Sequence, residues 1–151
     1  MGRAPFQVLV IPFMRYHDKV KYCVFERENP LCQYQFIAGG GENDETPMEA
    51  AKRECFEEAQ ICVDNFMELT SLCYIPTNIF SKNQRKIWGE NVLVIPEYAF
   101  AIETNSEDIT LSDEHIGFAW VTYESTLSLL KWDSNKTALY ELDCRIKSGN
   151  N

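Results

Sequence analysis

The chain alternates between short apolar runs and stretches with helical stripes. Residues 6–13 are an almost unbroken apolar run and predict a buried strand. Residues 20–26 alternate and predict a second strand, with His17-Asp18-Lys19 as the turn between the two. Asn29 and Pro30 interrupt the pattern. Residues 35–38 form a short extended piece that runs into Gly39, Gly40 and Gly41. Residues 47–60 are helical in pattern, and strand-like runs follow at 62–74, 87–95, 98–102 and 117–122. Two helical stretches come last, about 123–131 and 135–147; Leu139, Leu142 and Ile146 supply the buried face of the second. Strands with interspersed helices predict an α/β or α+β arrangement layered around a sheet. A length of 151 residues fits one domain over 1–151.

The helix after the glycines is well specified. Thr46 suits the N-cap, Pro47 suits the first helical position, and Glu49 completes a capping box. At about 100° per residue, Met48, Ala51, Cys55 and Ala59 form an apolar stripe. Glu54, Glu57 and Glu58 fall together on an adjoining side, and Arg53 reaches Glu57 one turn on. Like charges spaced this way repel by a few tenths of a kcal/mol per pair. A hard divalent cation removes that cost, because Mg²⁺ prefers carboxylate oxygens. Gly39 to Gly41 read as a Gly-rich loop just before the helix, which lets the backbone approach closely. Glycines, helix start and carboxylates together suit a metal-bound polyphosphate; taken alone, an acidic run on a helix is an ordinary solvated face.

Charge sharpens this reading. The net charge of −9 disfavours nucleic acid as a partner, since a phosphate backbone is repelled. It also excludes highly anionic substrates unless divalent cations intervene. No apolar run approaches the roughly 20 residues of a membrane span, and residues 1–13 lack a signal-peptide cleavage pattern. A cytoplasmic protein is expected. The six cysteines show no metal-type spacing, and mostly buried, reduced thiols are expected.

Gly39, five residues, Glu45, seven residues, then Arg53-Glu54-x-x-Glu57-Glu58-x-x-Ile61 resembles the Nudix box of the MutT-type Nudix hydrolases. Every fixed charged position matches. Cys55 takes the aliphatic slot, and Gln60 replaces the glycine near the helix end, where a left-handed cap is usual. The resemblance implies a mixed sheet between helices. It also implies Mg²⁺- or Mn²⁺-dependent hydrolysis of a nucleoside diphosphate linked to another moiety. Carried over by position, Glu54, Glu57 and Glu58 are metal carboxylates, the Ala38 carbonyl is a backbone ligand, and Gly39 and Gly40 lie against substrate. Glu45 and Arg53 brace the loop against the helix. Arg27, closing the second strand, is placed to meet substrate phosphate, and Tyr34 to stack on a base. Residues 111–115, 119–121 and 130–139 are similar to the branch of dATP pyrophosphohydrolases and dihydroneopterin triphosphate pyrophosphatases. In that branch Glu114 is a further metal ligand or the general base, so Glu58, Glu57 and Glu114 are the catalytic candidates. A small nucleotide-like partner is implied, and family members often form homodimers.

Other residues carry weaker expectations. His115 is read as a hydrogen-bonding loop residue, Trp120 as core, Trp88 as a stacking candidate and Glu97 as a candidate accessory acid. Asp133 or Ser134 is expected to cap the last helix. Pro76 lies where ADP-ribose pyrophosphatases carry a proline, so ADP-ribose and dinucleoside polyphosphates stay open as substrates. A nucleotide-binding module without turnover is the alternative of another class.

Overall fold

The computed structural model describes residues 2–27 and 33–149. The Asn29-Pro30 break and Cys32 lie outside the described residues. The strands are β1 (Arg3–Tyr16), β2 (Lys19–Arg27), β3 (Tyr34–Gln35), β4 (Ile37–Glu42), β5 (Phe66–Pro76), β6 (Val94–Glu103) and β7 (His115–Val121). The helices are α1 (Pro47–Ala59), α2 (Lys82–Trp88), α3 (Tyr123–Leu129) and α4 (Asp133–Ser148). The strands make one mixed sheet in the order β3-β2-β1-β6-β5, with β4 also paired to β1 and β7 to β2. Among the described strands only β1 and β6 pair in parallel; Gln7 faces Glu97 and Phe13 faces Glu103. The architecture is α+β, a sheet between helices.

Alternation along β1 explains its unbroken apolar run. Leu9, Ile11 and Phe13 point into one core with Ala138, Leu139, Leu142 and Ile146 of α4. Val8 and Val10 point into a second core with Ala50, Ala51, Cys55 and Ala59 of α1. A strand covered on both faces has no polar side to show. β1 also serves two partners on one edge. Its first half pairs with β4 and its last residues with β2. The sheet therefore forks, and the ends of β2 and β7 come over the same side as α1.

Several sequence expectations are corrected. The strand predicted at 87–95 is the end of α2, a loop and the first residues of β6. Ser81 caps α2 by accepting from the Gln84 N–H, and the Trp88 indole N–H donates to the Arg3 carbonyl at 2.7 Å with its ring edge-on to Phe80. Trp88 is thus an anchor for the short helix. Gly39 to Gly41 are part of strand β4, not a loop. Neither Asp133 nor Ser134 caps α4: Trp132 holds the N-cap position without a side-chain bond. Trp120 is half-buried, its indole N–H donating to the Glu107 carbonyl at 3.0 Å. The described cysteines are free, but only Cys23 and Cys55 are buried. Among the described residues no helix is long and apolar enough to cross a membrane.

Candidate active site

The phase of α1 is set at its first turn. The Thr46 side chain accepts from the Glu49 N–H at 3.2 Å, and Glu49 Oε1 accepts from the Thr46 N–H at 2.8 Å. From that start the apolar stripe packs on the sheet and carries Glu54 and Glu58 inward; they are 9% and 2% exposed. Glu57 turns outward to solvent. The helix ends on Gln60, which itself takes the left-handed conformation at φ 54° and donates its N–H to the Cys55 and Phe56 carbonyls. A side chain in this region costs roughly 1–2 kcal/mol relative to glycine, so the cap geometry is kept at an energetic cost.

Arg53 is the hub between α1 and the preceding chain. Its Nε donates to Glu45 Oε2 at 2.7 Å, and its Nη2 donates to the Gly40 carbonyl at 2.8 Å and to Glu45 Oε1 at 3.0 Å. Its Nη1 donates to Glu57 Oε1 at 3.1 Å and Glu54 Oε2 at 3.2 Å. These bonds hold Glu45 well below the usual carboxylate range. Strand, loop and helix are tied by one planar donor group.

Strand β4 passes very close to the inner carboxylates. A Cβ on Gly39 would lie 2.1 Å from Glu54 Oε2, and one on Gly40 would lie 2.4 Å from the Arg3 guanidinium carbon. Ala38 precedes Gly39 in the same strand. Only glycine lets the backbone lie flat against these charged groups.

The electrostatics of the inner pair are unbalanced. Glu54 and Glu58 lie within hydrogen-bond reach of each other. Burial, then the Glu54 carboxyl, pushes Glu58 up to about 10, and burial also raises Glu54. Glu58 Oε2 is buried with no hydrogen-bond partner. From the β2–β7 side His115 brings Nε2 to 3.6 Å from Glu58 Oε1. His115 is 5% exposed, tilted against Phe25, and neither ring nitrogen has a hydrogen-bond partner. Burial, and then the charge of Arg27, lowers its pKa, which disfavours an ion pair with Glu58. Arg27 lies opposite His115 in the β2–β7 register, and its positive charge, like the negative charge of Glu114 in the exposed loop before β7, acts on Glu58.

These groups suit a hard divalent cation. Among the described residues no three His, Cys, Asp or Glu side chains form a ready-made cage. Mg²⁺ does not require one: it is typically bound by one or two carboxylates together with waters and substrate phosphates. A buried carboxyl pair with an unpartnered oxygen offers those donors, and Glu57 lies one turn away.

The structure gathers Glu45, Arg53, Glu54, Glu57, Glu58, Gly39 and Gly40 in one place, with Arg27, Glu114 and His115 across the fork. It sets Tyr34 apart. That ring packs against the α4-side core, and its hydroxyl donates to Glu26 Oε1 at 3.4 Å. Glu97 is also apart, on the α4 face of the sheet rather than beside the carboxylates. Arg3 was missed. It lies over Gly40, its charge acts on Glu54, and its guanidinium covers the Phe80 ring at 4.9 Å. An isolated arginine three residues before the apolar run gives no such signal in sequence.

Comparison with known proteins adds the following. Residues 7–142 match the NUDIX domain. A solved structure from Listeria monocytogenes, named for the NUDIX hydrolases, is 45% identical, with 97% of each chain covered and a TM-score of 0.85. The dihydroneopterin triphosphate diphosphatase of Haemophilus influenzae is 27% identical over 134 residues, covering 87% of this chain and 83% of that protein. The dihydroneopterin triphosphate pyrophosphohydrolase of E. coli shares the fold at a TM-score of 0.74 and 20% identity, with 95% of this chain and 99% of that chain covered.

Proposed function

This chain belongs to the NUDIX domain family and is a Nudix pyrophosphohydrolase; we propose that it cleaves a nucleoside triphosphate or a like triphosphate, such as dATP or dihydroneopterin triphosphate, to the monophosphate and pyrophosphate. The observation that carries this reading is the buried Glu54–Glu58 pair held against Gly39, with an orphaned oxygen on Glu58. The names of the Haemophilus and E. coli proteins support the triphosphate as substrate.

Glu54, Glu57, Glu58, the Ala38 carbonyl and Glu114 would hold Mg²⁺ or Mn²⁺. Such a cation supplies Lewis acidity, neutralising phosphate charge and making water easier to deprotonate. Arg53 keeps Glu54 and Glu57 oriented and joins them to Glu45. Glycines 39 and 40 leave room for phosphate at the strand. Arg27 takes up part of the polyphosphate charge from the opposite side. Glu58 in its ionised form, which a bound cation would favour, or Glu114 as the alternative, accepts the proton of the attacking water; the new P–O bond forms as the bond to the leaving pyrophosphate breaks. Catalysis is then mostly positioning and electrostatics. A cytoplasmic setting and a homodimer complete the reading, the latter testable by light scattering.

The test is product analysis with Mg²⁺ or Mn²⁺ on the four dNTPs, dihydroneopterin triphosphate, ADP-ribose and a diadenosine polyphosphate, with Glu58→Gln as control. Pyrophosphate from a triphosphate, lost in the variant, is expected. AMP from ADP-ribose as the main product would overturn the substrate.

A further inference from the structure

On the α4 face of the sheet lies a cavity of about 210 Å³, bordered by Ser71 and Cys73 of β5, Glu97 of β6, and Asp133, Ser134 and Thr137 of α4. It is smaller than the roughly 300–1,000 Å³ of sites for drug-sized ligands, so it suits one flat ring system and not a whole nucleotide. Its floor is a carboxyl group: Glu97 is 5% exposed. Such burial needs a reason. Gln7 answers part of it, donating Nε2 to Glu97 Oε2 at 2.6 Å, while Arg3 Nη2 donates to Gln7 Oε1 at 3.0 Å. Ser134 lies close enough to favour the charged form of the carboxyl group. A carboxylate has about four acceptor positions, and Gln7 takes one of them, so both oxygens can still accept from a ligand.

The cavity also stands at the right remove from strand β4, which pairs with β1 and carries the glycines next to the phosphate site. Glu97, Gln7 and Gly40 are lateral neighbours on β6, β1 and β4. Two strand spacings of about 4.8 Å put Glu97 about 10 Å from Gly40, the chain neighbour of the Gly39 that adjoins Glu54. That is about the reach of a sugar or short polyol between a ring and its first phosphates. The chain Arg3–Gln7–Glu97 links the two places by hydrogen bonds.

We propose that this cavity binds the ring of the substrate and that Glu97 selects heterocycles carrying a ring N–H beside an exocyclic amino group. Pterins and guanine present this pair of parallel donors, which a carboxylate accepts with both oxygens. Adenine and cytosine present an amino donor beside a ring-nitrogen lone pair. That lone pair would face a carboxylate oxygen, leaving two acceptors opposed. Sites built to hydrogen-bond a ligand discriminate strongly, because a mismatched ligand leaves buried polar groups unpaired. The inference deepens the triphosphate reading and divides its candidates, favouring dihydroneopterin triphosphate and dGTP over dATP.

Glu97→Gln tests it, because the amide keeps the shape and offers one acceptor and one donor. Binding of neopterin, guanosine and adenosine, all without phosphates, is measured by fluorescence or calorimetry on wild type, Glu97→Gln and Thr137→Phe; the last fills the cavity from an exposed helix position. Wild type is expected to bind neopterin and guanosine at least tenfold more tightly than adenosine. Glu97→Gln should erase or reverse that ratio, and Thr137→Phe should weaken all three. The kcat/KM ratio of dGTP to dATP should shift in the same direction by at least tenfold. Equal losses for all ligands in Glu97→Gln, or a wild-type preference for adenosine, would overturn the inference. Selective ring binding without any triphosphate hydrolysis would leave it standing and refute the triphosphate reading instead.

Discussion

Glu58 and Glu97 are both buried carboxyl groups, on opposite faces of one sheet, and the fold treats them oppositely. Glu97 accepts from Gln7, with Ser134 close beside it. Glu58 has a second carboxyl group within hydrogen-bond reach and the His115 imidazole at 3.6 Å, and one of its oxygens has no hydrogen-bond partner. The first is a finished hydrogen-bonded group with acceptor capacity to spare. The second is an unfinished site that a cation would complete. Burial alone therefore does not assign a role; what the neighbours leave unsatisfied does.

The contrast can be broken most severely at Glu58. Glu58→Gln is expected to lower turnover by about 10³-fold or more, the upper part of the range for loss of a general base, with an unchanged circular dichroism spectrum. Near-normal turnover would remove Glu58 from the chemistry. The pH dependence of metal-free stability comes next. Glu58 is raised in the folded state from 4.5 to about 10, so the folded chain holds a proton that the unfolded chain releases. Stability should be greatest below pH 4.5 as far as this group is concerned, and should fall as pH rises toward 10. The slope is at most about 1.4 kcal/mol per pH unit for one proton. Glu58→Gln should flatten the slope, and Mg²⁺ should raise the wild-type melting temperature at pH 8 more than that of the variant.

Glu97→Ala should act in the other direction on stability. It strips Gln7 of its acceptor inside the fold, and an unpaired buried donor costs about 1–3 kcal/mol. Urea unfolding reads this loss; no loss would mean that the pair is not part of a satisfied network. The smallest change belongs to the end of α1. Gln60→Gly should stabilise by about 1 kcal/mol, visible as a shift in denaturation midpoint with little effect on turnover.

What could be read in the sequence was local. The capping box at Thr46, the apolar stripe of α1 and the buried strand β1 depend on near neighbours and on spacing, and each is found where the pattern puts it. α2 was misread because it is only seven residues long and depends on distant anchors, Trp88 on Arg3 and on Phe80. Gly39 to Gly41 looked like a loop because glycine is common there; a strand position is explained only by the side chains that crowd them from α1 and β1. The carboxylates of α1 were visible by spacing, but the division into buried Glu54 and Glu58 and outward Glu57 came from packing. The burial of Glu97 and His115 and the placement of Arg3 arise from contacts across the sheet, which a single sequence does not show.

The parallel pairing of β1 with β6 has a consequence for how the chain is made. Gln7 and Glu97 are separated by 90 positions, so β1 leaves the ribosome long before its parallel partner exists. At about 5–20 residues per second the wait is about 5–18 s. During that time Val8 to Ile11, fully covered in the finished fold, have only β2 and β4 to pair with. The nascent chain therefore carries an exposed aggregation-prone segment for seconds, and slowing synthesis between β4 and β6 should lower soluble yield without altering the stability of molecules that complete folding.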